Sequence, residues 1–255
     1  MVKSTTLFLS NKIDSPLFLT IILTSSFFLV FSLFSLTNNP DAVAASPSVS
    51  IPKKNSPNDD LKTVQVKLTS DQNKYKHLIG ILQNTGNKTI DQVIVSADFL
   101  DKDKKSLGSF SKQTELTTLN PNELTPFDIL IYDKKISDKI KDYKLDFKFN
   151  FTEYKDKKLV IVSHDSRLDM TGFYFINGKI QNTDKTSVSN NTRVIVVTYN
   201  KNNELAGVWK AQTEPYSIPP LTTASFTIPI TDKIQAFQIS NYTLLTESDK
   251  FSKLK

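Results

Sequence analysis

Gly80-Ile81-Leu82-Gln83-Asn84 and Gly178-Lys179-Ile180-Gln181-Asn182 decide the fold, because the second stretch repeats the first at an offset of 98 residues. Further along, one inserted residue moves the offset to 99. Asp101, Leu107-Gly108, Leu119, Pro121 and Phe127 are then answered by Asn200, Ala206-Gly207, Ile218, Pro220 and Phe226. A repeat of this period means two copies of one domain, each large enough to hold its own core. The repeated positions are glycines, turn formers and apolar strand residues, so the repeat speaks of architecture and not of chemistry. Glycine is unfavourable inside a strand, so Gly80 and Gly178 mark a bulge or a close backbone approach at the same point of each copy.

Around these stretches the prevailing pattern is apolar alternation with period two, the mark of half-buried strands, with short continuous apolar runs among them. In the first copy the runs are Val64 to Leu68, Leu78 to Leu82, Ile90 to Leu100, Leu107 to Phe110 and Phe127 to Ile131. They end in the strict alternation of Tyr143, Leu145, Phe147, Phe149 and Phe151. The second copy opens with Leu159, Ile161 and Leu168 and continues through Phe173 to Ile180, Val194 to Tyr199, Leu205 to Trp209 and Phe226 to Ile230. It closes on Ile234, Phe237 and Ile239, which align with Ile140, Tyr143 and Leu145. About seven short strands per copy is the signature of an immunoglobulin-like sandwich. The expected fold is therefore all-β, with two tandem immunoglobulin-like β-sandwich domains at 61–156 and 157–255 after an N-terminal hydrophobic helix.

That helix is an export element. Lys3 and Lys12 precede the charge-free apolar stretch 17–36, and Ala42-Val43-Ala44 places small residues at signal-peptidase spacing. Residues 1–45 read as a signal peptide or a membrane anchor, with the basic end inside and everything beyond it outside. Residues 46–60, with Pro47, Pro52 and Pro57, read as a disordered linker. The protein is expected at the cell membrane with extracytoplasmic domains, or secreted if the helix is cleaved.

Composition excludes several chemistries. The 255 residues contain no cysteine, so disulfides and thiolate nucleophiles are out. The net charge of +6 rests on lysine, only Arg167 and Arg193 being arginine, and nucleic acid is not expected as a partner. His77 and His164 are the only histidines, and Met170 is the only methionine beyond the start. No metal site or cofactor is expected from so sparse a set. His164-Asp165-Ser166 holds the residue types of a triad, but neighbours on a strand face opposite ways. Asp101-Lys102-Asp103 opens a hairpin turn, since a calcium loop would need Gly and Glu where Ser106 and Lys112 stand. Asn87, Asn150, Asn190 and Asn241 are sequons open to glycosylation, with Asn87 and Asn190 expected in the same turn of the two copies. Trp209, at the position of Phe110, reads as a core or sheet-face aromatic.

The order of elements resembles the FxLYD domains, a family of small prokaryotic surface domains. Ile79-Gly80-Ile81-Leu82-Gln83-Asn84 and Lys179-Ile180-Gln181-Asn182 match its glycine-containing strand and Asn-rich turn. Phe99-Leu100-Asp101 and Thr198-Tyr199-Asn200 stand where its naming motif ends, with Ala97 and Val196 in place of the first aromatic. Leu119-Asn120-Pro121 through Phe127, and Ile218-Pro219-Pro220 through Phe226, match its Pro loop and Phe strand. The resemblance implies a sandwich fold and brings no catalytic residues with it.

The functional expectation is an exported, membrane-tethered, non-catalytic surface binding or adhesion module with protein or glycan partners. Its partner-facing edge is expected at Val64–Leu68 or Leu159–Val162, with Tyr143–Phe151 as a core strand. The alternative is an envelope enzyme or accessory subunit acting on polysaccharide near Trp209 and the carboxylates. A concave pocket with convergent carboxylates would favour it.

Overall fold

The computed structural model describes residues 60–253. The export element and nearly all of the expected linker lie outside the described residues. Among the described residues, no helix is long and apolar enough to cross a membrane.

The first copy forms β1 (Leu61–Ser70), β2 (Lys76–Asn84), β3 (Thr89–Leu100), β4 (Ser106–Gln113), β5 (Thr118–Leu119), β6 (Leu124–Ile131), the helical turn α1 (Lys134–Ser137) and β7 (Asp142–Thr152). The second forms β8 (Leu159–Leu168), β9 (Tyr174–Asn182), β10 (Ser187–Asn190), β11 (Arg193–Tyr199), β12 (Leu205–Gln212), β13 (Thr223–Ile230), α2 (Lys233–Ala236), β14 (Asn241–Glu247) and β15 (Lys250–Lys253). All pairings are antiparallel. Sheet β1-β2-β6 faces a sheet in which β3 pairs with β4 and β5 on one side and β7 on the other. In the second copy β8-β9-β13 faces β12-β11-β14, with β10 and β15 as a short extra ribbon. Each copy is thus an immunoglobulin-like sandwich. Leu78, Leu82, Val95, Phe99 and Phe127 fill the first core, and Ile176, Ile180, Val194, Val196 and Phe226 the second.

The repeated residues do the same work in both copies. A Cβ on Gly80 would lie 2.4 Å from the Phe127 ring, and one on Gly178 would lie 2.5 Å from the Phe226 ring. Each glycine therefore gives its space to the phenylalanine of the neighbouring strand. Asn84 is fully buried and donates from Nδ2 to the carbonyls of Lys88 (2.8 Å) and Leu119 (3.0 Å). Asn182 donates to those of Ser187 (2.8 Å) and Ile218 (2.9 Å). Four hairpins share one turn, in which Asp71, Asp101, Asp169 and Asn200 each accept from the backbone N–H groups two and four residues on. Lys74, Lys104, Gly172 and Asn203 take positive φ three residues after them. The Asp101 stretch is accordingly a hairpin turn.

Three expectations are corrected. Among the described residues β7 pairs only with β3 and is an edge strand, although Tyr143, Leu145, Phe147 and Phe149 pack inward and Phe151 is 55% exposed. Alternation reports which face a side chain takes, and says nothing of whether both strand edges are paired. Ile234 and Phe237 do not close the second copy: they sit in and after α2, 49% and 67% exposed, and the closing strand is β14. Asp232-Lys233 is the counterpart of Asp133-Lys134 at the offset of 99, each Asp capping its helical turn. Asn87 lies exposed in the β2–β3 turn, whereas Asn190 ends β10 opposite Lys250, so the two sequons do not share a turn.

The sandwiches are packed together. Ile79 and Ile81 point away from the first core and are buried in a cluster with Val197 and Leu205, while Ile195 packs into the first core from the second copy. β12 lies against the outer face of β1-β2-β6. The connection between β7 and β8 is fixed as well. Asn120 Nδ2 donates to the Lys155 carbonyl at 2.8 Å, and Lys157 pairs with Glu123 at 2.9 Å.

Candidate functional site

Where the two sandwiches meet, a cleft of about 420 Å³ opens, lined from the first by the β1–β2 turn, His77 and Asp128 and from the second by Gly207, Trp209, Lys210 and Asp232. The geometry follows from local structure. His77 and Asp128 are diagonal neighbours across the β2–β6 pairing, opposite Leu130 and Ile79 respectively, and β12 brings Gly207, Trp209 and Lys210 over them. Asp232 is placed by capping α2, accepting from Gln235 N at 2.9 Å.

The polar groups of the cleft are mostly committed. His77 Nδ1–H donates to Asp128 at 2.9 Å and 3.1 Å, because a carboxylate can only accept and the proton must sit on that nitrogen. Asp71 Oδ1 holds its own turn, and Asp71 Oδ2 stands 3.9 Å from His77 Nε2. Asp232 Oδ2 accepts from Gln72 N across the sandwich boundary at 2.7 Å, and Lys233 N donates back to Gln72 Oε1 at 3.2 Å. Glu115 is buried and pairs with Lys210 of the other sandwich at 2.7 Å and with Lys112 at 3.6 Å. Burial pushes the His77 imidazole down. The hydrogen bond to Asp128 and the charges of Asp128, Asp71 and Asp232 outweigh it, so the group titrates above the ordinary histidine value.

Of the buried side-chain atoms without a hydrogen-bond partner among the described residues, two belong to residues that line the cleft, His77 Nε2 and Trp209 Nε1, while Arg193 Nε and Ser137 Oγ lie elsewhere. Buried polar groups in native proteins are nearly always satisfied, and an unpaired one costs about 1–3 kcal/mol. In a cleft of this size, water or a ligand would meet that need. Both nitrogens offer hydrogen to an incoming group, the indole always and the imidazole when protonated.

The other residues singled out from sequence lie elsewhere. His164 Nδ1 meets Tyr242 Oη at 2.8 Å, Asp165 accepts from Asn177, and Ser166 meets Tyr174, so the three side chains form no relay. Asn150 is exposed on β7 and Asn241 begins β14. Among the described residues, no group of three or more His, Asp or Glu side chains could hold a metal ion. Trp209 packs partly on the second core, as expected of a sheet-face aromatic, and also lines the cleft, its indole nitrogen buried. Sequence reasoning named His77 only to set it aside as a metal ligand and did not say which carboxylates stand near Trp209; Asp71, Asp128, Asp232 and Glu115 join it only when the sandwiches dock.

No family model matches the chain, and no curated protein matches it. Solved structures that share some of its shape include the exo-β-D-glucosaminidase CsxA, at 10% identity and a TM-score of 0.26, over 74% of this chain and 26% of that one. The Amycolatopsis orientalis exo-chitosanase CsxA is matched at 9% identity and a TM-score of 0.25, with the same coverage. Red sea bream transglutaminase is matched at 6% identity and 0.23, over 75% of this chain and 29% of that one. The chain spans under a third of the length of each, and likenesses this distant bear on no activity.

Proposed function

We propose that the chain is an exported, membrane-tethered, non-catalytic binding module of the cell surface, whose ligand enters the cleft between the sandwiches. The observation that carries this reading is the pair of unsatisfied nitrogens, His77 Nε2 and Trp209 Nε1, in a cleft whose carboxylates are already held by fixed partners. Such a site is set to bind acceptor oxygens of a glycan or of a protein backbone. The apolar stretch 17–36 behind Lys3 and Lys12 is read as the export element or tether.

Calorimetric titration with soluble surface glycans and with surface-protein fragments tests the proposal. Binding of either that falls at least about tenfold in Trp209→Phe, with the fold kept by circular dichroism, supports it, because that change removes the indole donor and keeps an aromatic ring in its place. Equal binding by wild type and variant contradicts it. The second reading, an enzyme or accessory subunit acting on polysaccharide, is favoured by one observation, that Asp71, Asp128, Asp232 and Glu115 line a concave site beside Trp209. Cleavage of an oligosaccharide, lost in Glu115→Gln or Asp128→Asn, would establish it.

A further inference from the structure

The outer edge of β7 carries a second kind of information. Edge strands expose backbone donors and acceptors, and proteins usually blunt them with proline, bulges or covering elements. Most of the longer described edges follow this rule; β14 has no proline and pairs with β11 in an unbroken register. β6 and β13 carry Pro126 and Pro229, and β1, β8 and β4 are bulged against their neighbours. β12 is bulged and covered by the first sandwich. β14 ends in Glu247, whose Oε2 accepts from Thr117 N of the first sandwich at 3.1 Å. β7 has no proline, and although its register with β3 shifts between Lys148 and Asn150, it is unbroken from Asp142 to Lys148.

The outward face of β7 reads Asp142, Lys144, Asp146, Lys148, with Lys144, Asp146 and Lys148 exposed and Asp142 half-buried and already paired with Lys104 of the β3–β4 turn. This pattern is its own complement. If a second β7 runs antiparallel about a two-fold axis at Leu145, Lys144 faces Asp146 of the second copy and Asp142 faces Lys148, each pair occurring twice. On the inner face Tyr143 meets Phe147 and Leu145 meets itself. Moving the axis to Lys144 sets Asp142 against Asp146. Moving it to Asp146 sets Lys144 against Lys148 and Asp146 against itself. An axis at Phe147 keeps only the Asp146–Lys148 pairs and leaves Lys144 opposite Asn150.

We infer that β7 is a self-association edge, through which two copies of the chain form a two-fold dimer centred on Leu145. The interface is isologous, and it joins two sheets into one continuous sheet of the order β4-β3-β7-β7-β3-β4. The occupant is a second copy because only an antiparallel strand of alternating opposite charge satisfies this edge, and β7 is itself such a strand.

Sedimentation equilibrium of the full chain in detergent micelles tests this with Lys144→Glu, Asp146→Lys and the double exchange. Both positions are exposed, and far-UV circular dichroism checks that the fold is kept. Each single change puts like charges opposite one another twice, and is expected to weaken dimerisation by about tenfold. The double exchange recreates the complement and should restore wild-type association. A monomeric wild type overturns the inference, as does association that ignores all three variants. Weakening by Asp146→Lys but not Lys144→Glu also overturns it, since that result belongs to an axis at Phe147.

Discussion

Replacing Leu205 with alanine probes how firmly the two sandwiches are joined. Leu205 is fully buried on β12, in a cluster with Val197 of its own sandwich and Ile79 and Ile81 of the other. A buried Leu→Ala change costs about 2–5 kcal/mol, the spread reflecting how far the site can collapse. Here the cavity wall is shared between two bodies that can shift toward each other, so a loss near the lower end, about 2–3 kcal/mol, is expected. Ile79→Ala, from the opposite wall, should cost a similar amount. Because both changes open the same cluster, the double variant should lose less than the sum of the two, by about 0.5 kcal/mol or more. Urea unfolding followed through Trp209, the only tryptophan in the chain, supplies the measurement. Trp209 belongs to the second sandwich and Ile79 to the first, so Ile79→Ala should move the tryptophan transition. An unmoved transition, or additivity within about 0.3 kcal/mol, would refute the shared cluster. It would mean that the two sandwiches fold independently.

Asn84→Ala and Asn182→Ala each strip three hydrogen bonds, two donated by Nδ2 and one accepted by Oδ1 from the N–H of Gly86 or Asp184, and each should cost about 2–3 kcal/mol in the same assay, the two agreeing closely because their roles are equivalent. Gly178→Ala should destabilise more than Gly80→Ala, toward the upper end of about 1–3 kcal/mol by thermal unfolding. At Gly178 a Cβ meets the backbone oxygen of Ser163 at 2.4 Å, whereas at Gly80 it meets only side chains. His77 is held above its ordinary value, so its stabilising effect is complete below the unfolded value near 6.5 and is lost as pH rises through the folded value. The stability gap between wild type and His77→Gln should therefore be widest at about pH 5.5 and should narrow above neutrality. A gap that widens as pH rises would show that the sign is wrong.

Much of the architecture was legible in the chain, because the repeat marks positions where backbone geometry leaves little choice. Gly80 with Phe127, Gly178 with Phe226, and the paired Asn84 and Asn182 recur because each sandwich needs the same close approach and the same buried amide. The docking of the sandwiches was less legible, although a signal was present. Leu78 to Leu82 and Val194 to Val197 are continuous apolar runs, not alternating ones, as befits strands buried on both faces. The edge position of β7 left no such signal, since its inward alternation looks the same whether or not another strand lies beside it. The cleft was illegible for a different reason. His77, Asp128, Trp209 and Asp232 lie far apart in sequence, and each has a local structural reason to exist.

The proposed binding role is tested most directly by the indole N–H resonance of Trp209, a single peak in the amide spectrum because the chain has one tryptophan. Titration with a surface glycan or peptide that binds the chain should shift this resonance to saturation, with the ligand recovered chemically intact. An indole peak that stays still while ligand binds would place the site elsewhere, and recovery of a cleaved ligand would make the protein an enzyme.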